Sequence, residues 1–261
     1  MSATGHAVAV SPHLDDAVFS AGGTIAALVA HGWIVRVVTC FTASMPDPSG
    51  FALSTQLDKG LAAEVDYLAL RRAEDTAACA VLGAEPAHLM LPEAPHRGYD
   101  CASALFAGVH PDDDIGSALR AALEPQLVGA DLVLAPQAIG DHVDHRVVVE
   151  VVAALAPQAL WWRDAPYVLR RPDAPPWTVV PPGCEQVVDI GPYLDMKTTA
   201  AHCYTTQLGF QFGGPEHVEP RLRELAAAEA ARVGAAQPCE ALTGGGLLLA
   251  STAAAGTDVR Q

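Results

Sequence analysis

Four short apolar runs, each followed by a segment of helical period, constrain the fold of this chain most. "HAVAV" (6–10), "WIVRVVTCFT" (33–42), "AHLMLP" (87–92) and "ADLVLAP" (130–136) read as buried strands, being too short for helices and bounded by loop residues. Between them stand "SAGGTIAALVAHG" (20–32), with Gly32 as its C-terminal cap, a long helical stretch over about 61–83, and "IGSALRAALEPQL" (115–127). A Ser/Pro/Asp/Gly-rich loop is expected over about 43–60. Parallel neighbours need a crossover between them, so strand and helix in alternation predict an α/β fold with a doubly wound, mostly parallel sheet. Past residue 156 the texture changes to a Pro- and aromatic-rich segment. "EQVVDIG" (185–191) then reads as a strand, followed by helices near 192–208 and 219–234. "GGGLLLAS" (244–251) reads as a last strand, and the Ala/Gly-rich tail after it is expected to fray.

Composition narrows the partners. The 261 residues carry 30 Asp+Glu against 15 Lys+Arg, a formal net charge of −15, so no basic stripe for nucleic acid and no polybasic membrane patch is present. No apolar run approaches the ~20 residues that span a bilayer. The N-terminal "MSATGHAVAV" lacks the basic start of a secretory signal. The six cysteines are scattered with no C-x-x-C pair, which suits reduced thiols and a cytoplasmic location.

Two clusters of ligand-type residues interrupt this apolar pattern. His13-Leu14-Asp15-Asp16 follows the first strand, and "GDHVDHR" (140–146), with His142, Asp144 and His145, follows "ADLVLAP". In an open α/β sheet the ligand crevice lies outside the carboxyl ends of the strands, where the two clusters can meet. A catalytic zinc keeps three His or carboxylate ligands and one open position, and a nearby carboxylate can take the proton of its water. The first cluster supplies an imidazole, a ligand carboxylate and a spare carboxylate as base. The second supplies the third ligand and another His to polarise a carbonyl or protonate a leaving group. Spacing leaves open which of Asp15 and Asp16 would bind metal. The competing structural reading is that Asp15 and Asp16 merely open a helix, and that the histidines sit in turns. Both clusters falling at strand ends favours the chemical reading.

Other candidates are weaker. Gly22-Gly23-Thr24 hints at a phosphate cradle, but no dinucleotide or P-loop glycine pattern surrounds it, which disfavours a nucleotide-dependent oxidoreductase. Ser11, Ser20 and Ser103 lack a nucleophile-elbow context. His96 and His202 are candidates for a cleft wall. Trp161, Trp162, Trp177 and Tyr167 are candidates for a substrate wall or for core packing.

"SPHLDDAVFSAGGTIA" with "GDHVDHR" downstream resembles the PIG-L/LmbE-like family of zinc-dependent N-deacetylases. Further similarity lies in "RRAEDTAACAVLGAE" (Arg71, Glu74), "WWRDAPYV" and "DIGPYLDMKTTAAHCYTTQ" (Lys197, Gln207), so that it covers roughly residues 6–210. The resemblance implies a Rossmann-like core over about 1–156 within a single domain, completed by a variable C-terminal part over about 157–261. It implies His13, Asp16 and His145 as ligands of one Zn2+ per chain, a site that Fe2+ or Co2+ also fits. It implies Asp15 as general base, His142 as stabiliser of the tetrahedral intermediate or donor to the amine, and Asp144 as the residue that orients or tunes His142. Leu14 and Ala17 replace the Pro and Glu of the usual His-Pro-Asp-Asp-Glu motif. Gly140 and Asp141 stand where some members carry a catalytic-loop tyrosine.

The expected activity is hydrolysis of an N-acyl group, N-acetyl first, from an amino sugar or sugar conjugate, in a secondary-metabolite or thiol pathway. The alternatives are an amidase of the same mechanism acting on a thiol conjugate or longer acyl chain, and a non-catalytic ligand-binding protein. The partner expected is a small N-acylated sugar or glycoconjugate, with room for a homo-oligomer. Specificity is expected in the 43–60 loop, "PEAPHRGY" (92–99) and the segment after 160.

Overall fold

The computed structural model describes residues 4–245. In chain order it contains β1 (His6–Ser11), α1 (Asp16–Ala30), β2 (Ile34–Thr39), α2 (Gly50–Leu57), α3 (Tyr67–Leu82), β3 (Glu85–His88), α4 (Ile115–Leu127), β4 (Leu132–Pro136), α5 (Val143–Leu155), β5 (Leu160–Trp162), α6 (Tyr167–Arg170), β6 (Cys184–Asp189), α7 (Leu194–Ala201), α8 (Leu208–Phe212), α9 (Val218–Val233) and β7 (Cys239–Gly244). The strands form one seven-stranded sheet in the order β3-β2-β1-β4-β5-β7-β6. The first five strands pair in parallel, and β7 runs antiparallel to both β5 and β6. The expected α/β, mostly parallel sheet is therefore present.

Side-chain alternation along each strand builds two cores. Ala7 and Ala9 of β1 and Leu132 and Leu134 of β4 pack on one face with α1, α3 and α7. Val8, Val10, Val133 and Ala135 pack on the other face with α4 and α5. With both faces covered, β4 is buried along its whole length, which is why it reads as a continuous apolar run. β1 has β2 on one side and β4 on the other, so the strand order reverses there and a crevice opens at their carboxyl ends.

Several boundaries differ from those read in the sequence. The 43–60 segment contains α2, and the long helix starts at Tyr67, where the Asp66 carboxylate accepts from Ala69 N–H at 2.9 Å. The third strand is shifted to Glu85–His88, although the chain stays beside β2 afterwards, with Leu89 N–H donating to Thr39 O at 2.8 Å. The stretch read as one helix near 192–208 is α7, a turn and α8. The last described strand is Cys239–Gly244, and most of "GGGLLLAS", with the tail behind it, lies outside the described residues. No described helix is long and apolar enough to cross a membrane.

The Gly22-Gly23-Thr24 stretch has a structural use. Glu240 of β7 accepts from Gly23 N–H (3.0 Å), Thr24 N–H (2.7 Å) and the Thr24 hydroxyl (2.6 Å), and pairs with the buried Lys197 Nζ at 2.6 Å. Amides committed to a carboxylate cannot cradle a phosphate. The glycines also let α1 approach its neighbours, since a Cβ on Gly23 would stand 2.6 Å from Ile190 Cγ2 and 2.7 Å from Ile190 Cβ. Gly23→Ala gains about 1 kcal/mol of helix propensity but overpacks a fully buried isoleucine at a typical cost of about 1–3 kcal/mol. Overpacking is expected to win, giving a measurable fall in the urea midpoint. An unchanged or raised midpoint would show that Ile190 moves aside freely.

Candidate active site

The turn after β1 is built by Ser11. Its hydroxyl donates to His13 O (2.7 Å) and accepts from Ala17 N–H (3.0 Å), folding the chain so that His13 N–H donates to the Asp16 carboxylate at 2.9 Å. The turn after β4 is tighter. Ala138, Gly140 and Asp141 all have positive φ, and His142 caps α5 by accepting Asp144 N–H on Nδ1 at 3.2 Å. Such backbone conformations in non-glycine residues cost energy and concentrate at functional sites. Here they bring His145, on the first turn of α5, back over β1.

The two turns place three donor atoms together. Asp16 Oδ2 lies 3.2 Å from His13 Nδ1 and 3.2 Å from His145 Nε2. Each histidine has its far nitrogen on another carboxylate: His13 Nε2 on Asp144 (2.9 Å) and His145 Nδ1 on Asp164 (2.8 Å). With the far nitrogens carrying protons to those carboxylates, His13 Nδ1 and His145 Nε2 present lone pairs towards Asp16. Buried His145 Nε2 has no hydrogen-bond partner, so a lone pair faces a carboxylate oxygen with nothing positive between them. A cation or a proton resolves that repulsion, and a His–His–Asp set with carboxylates behind both imidazoles suits a divalent transition metal. His13, Asp16 and His145 thus fit the metal inferred from the sequence.

A second group, His13, His142 and Asp144, is equally close-set but fits less well. Asp144 already accepts from His13, from Ala94 N–H (3.1 Å) and from Arg97 Nη2 (2.8 Å), and His142 Nδ1 is occupied by a backbone N–H. The Asp144 carboxylate therefore steadies His13. Towards His142 it acts by charge, and by lending its own N–H to the cap.

Proton affinities follow these contacts. Burial lowers the pKa of His13, but hydrogen bonds to Asp144 and Asp16 overcome it and hold the ring well above the usual imidazole range. For His145 burial is likewise overcome, by the charges of Asp16 and Asp164 and the hydrogen bond to Asp164, to about 9. Burial would raise Asp16, but the His145 charge and the His13 hydrogen bond keep it well below the ordinary carboxylate range. His142 falls to about 3 through burial and the His13 charge, so its ring is neutral with the proton on Nε2. Asp15 is pushed up to about 7 by burial, against the opposing Arg71 charge.

Asp15 stands apart from the ligand set. Its Oδ1 lies 3.7 Å from Arg71 Nη2, while its Oδ2 is buried with no hydrogen-bond partner. Arg71 in turn holds Glu93 at 2.6 Å and donates to Leu14 O at 3.3 Å. Beyond this pair opens a cleft between α2 and the 92–96 segment, lined by Met45, Ala52, Gln56, Tyr67, Glu93 and His96. His96 is thus in the cleft wall as expected, whereas His202 is exposed at the end of α7. Trp161 and Trp162 are core residues, Trp177 stacks on Arg146 at 3.9 Å, and Tyr167 alone of the four aromatic candidates reaches the site. Asp164, Glu93 and Arg97 were not singled out as site residues in the sequence. The only sequence signal for them is their lying in segments that follow strand ends.

Fold and site together define a Rossmann-like α/β protein with three donor groups that could hold a metal, and a carboxylate beside them, at the switch point of its sheet. The family model described as GlcNAc-PI de-N-acetylase (PIG-L) matches residues 8–156, and the chain belongs to that family. It is 35% identical over 175 residues to the 2'-N-acetylparomamine deacetylase of Streptomyces fradiae, an alignment covering 64% of this chain and 59% of that relative's length. Among solved structures it is similar to the A40926 pseudoaglycone deacetylase Dbv21, with 28% identity, a TM-score of 0.77 and coverage of 91% of this chain and 96% of that one. It is also similar to the zinc-inhibited form of the teicoplanin deacetylase Orf2, with 25% identity, a TM-score of 0.78 and coverage of 91% and 97%.

Proposed function

We propose that the protein is a zinc-dependent N-deacetylase that hydrolyses the acetamide of an amino sugar carried on a glycosylated small molecule. The observation that carries this reading is the pairing of the His13–Asp16–His145 set with the unpartnered Asp15 Oδ2 beside it. Relatives named as deacetylases of 2'-N-acetylparomamine, of the A40926 pseudoaglycone and of teicoplanin support the substrate class, and the zinc-inhibited neighbour supports the metal. A zinc ion on these three residues supplies Lewis acidity, polarising the amide carbonyl and acidifying water. Asp15 Oδ2 takes a proton from the attacking water as its oxygen bonds to the amide carbon. Neutral His142 offers its Nε2–H to the oxygen that becomes negative. Asp15 then returns the proton to the nitrogen as the C–N bond breaks, leaving acetic acid and the free amine, which end as acetate and the ammonium ion once the acid's proton passes to the amine. Arg71 steadies Asp15 by charge and presents Glu93 to the cleft.

The same reading takes residues 1–261 as one unit, supported by β5, β6 and β7 completing the sheet that carries both metal motifs. Six free cysteines support a reducing, cytoplasmic setting. The test is a panel of N-acetylated amino-sugar conjugates, thiol conjugates and longer N-acyl analogues given to zinc-loaded protein, with release of acid and amine quantified. Acetate from the sugar members is expected to dominate. Release from thiol or long-chain members alone would replace the substrate class, and no release from any member would overturn the enzymatic reading.

A further inference from the structure

Among the tyrosines packed near the site, Tyr167 is the one whose hydroxyl is uncommitted. Tyr67 accepts from Gln207 (2.8 Å), Tyr99 donates to Asp113 (2.9 Å) and Tyr204 donates to Asp75 (2.7 Å). The Tyr167 hydroxyl has no hydrogen bond among the described residues, yet it is not sealed away as the buried unpartnered polar atoms are. The hydroxyl of this half-buried side chain is therefore both reachable and free to hydrogen-bond to whatever enters the site.

Its ring is held firmly. It meets the His145 ring edge-on, with centroids 5.6 Å apart and planes at 80°. It also fills the space above Gly140, where a Cβ would stand 2.8 Å from Tyr167 Cγ. The positive φ of Gly140 and the absence of a side chain there are thus what admit the ring to the site. The carboxylates that act on the hydroxyl are Asp16, Asp164 and Asp15, which groups it with the metal set and the base. His142 contacts the rings of both His13 (4.9 Å) and His145 (5.5 Å), and Tyr167 contacts that of His145, so both donors stand against the same ligand set.

We infer that Tyr167 is a catalytic residue whose hydroxyl donates a hydrogen bond to the substrate's amide oxygen as that oxygen becomes negative, alongside the Nε2–H of His142. This rests on the deacetylase reading of the same site. No proton is transferred: Tyr167 keeps its hydrogen, and Asp15 alone carries the proton from water to amine. Removing one preorganised oxyanion donor typically costs ~10²–10³-fold in kcat.

Tyr167→Phe keeps the ring and so its packing on His145 and Gly140. The experiment compares this variant with wild type in zinc content, KM, kcat and affinity for a methylphosphonamidate analogue of the substrate. The expected result is full zinc content and an unchanged KM. The kcat should fall about 10²-fold, and the analogue's affinity should fall by a similar factor. A merely structural tyrosine would alter zinc content or KM but not select the analogue. If wild type turns over and Tyr167→Phe stays within two-fold of it in kcat and analogue affinity, the inference is overturned. If wild type itself releases no acetate, the deacetylase reading fails first and the assignment of Tyr167 falls with it.

Discussion

Asp15→Asn is expected to lower turnover by about 10²–10⁴-fold while leaving the metal in place, because positioned base catalysis is worth about that much. The substitution is close to isosteric and removes only the ability of Oδ2 to accept a proton. Asp15 is not among the three converging donors, so zinc content should match wild type. The same change is expected to raise the melting temperature of the metal-free protein. Burial lifts the Asp15 pKa from the ordinary carboxylate range to about 7 in the fold. The unfolded chain therefore releases this proton at lower pH than the native one does. Stability falls as pH rises from about 4 through about 7, and a neutral amide escapes that loss. Kinetics, metal analysis and thermal melts on one preparation check all three parts. Near-wild-type turnover would place the base elsewhere.

His145→Ala should lose the metal itself, and activity with it. His145 supplies one of three donors, and it is the one whose orientation is fixed most completely. Asp164 grips its Nδ1 at 2.8 Å while Asp164 Oδ2 is held by Gln137 N–H (3.1 Å) and Ile139 N–H (3.0 Å). Asp164→Asn, which touches no metal, should weaken zinc binding by about 10–100-fold, the usual cost of losing such an outer partner. Both histidines hold protons more tightly than free imidazole does, His145 up to about 9. Binding a metal must displace those protons, so affinity should climb as pH rises towards 9 and fall on the acid side. Calorimetry in buffers of different ionisation enthalpy reads the released protons directly. A pH-independent affinity would mean that the histidines are not the ligands.

The sequence was most legible where residues act through their neighbours in the chain. The strands β1, β2 and β4 showed as short apolar runs, and α4 was read at its observed limits because its period and flanking loops are clear. The two clusters of His and Asp were visible because each is local, and the fold rule for strand ends brought them together across about 130 residues. What stayed hidden depends on contacts between distant segments. β5 has only three residues, Leu160–Trp162, and is a strand because β4 and β7 flank it. Asp164 matters through a histidine 19 positions earlier, and Arg97 through an aspartate 47 positions later. Nothing in their own surroundings announces either role. Asp144, expected to orient or tune His142, acts on it by charge and through its own N–H, while its carboxylate also hydrogen-bonds to His13 and Arg97, partners that the sequence did not point to. Gly140, noted as a departure from the family pattern, makes physical sense only once the Tyr167 ring is seen above it.

The central claim is that His13, Asp16 and His145 hold one metal ion with Asp15 left free beside it. Crystals of wild-type protein soaked in zinc, with anomalous data collected on both sides of the zinc edge, test this most directly. The account predicts a single zinc peak bonded to His13 Nδ1, an Asp16 oxygen and His145 Nε2, with Asp15 outside bonding distance. A peak on His142 and Asp144, or zinc bound through Asp15, would contradict it.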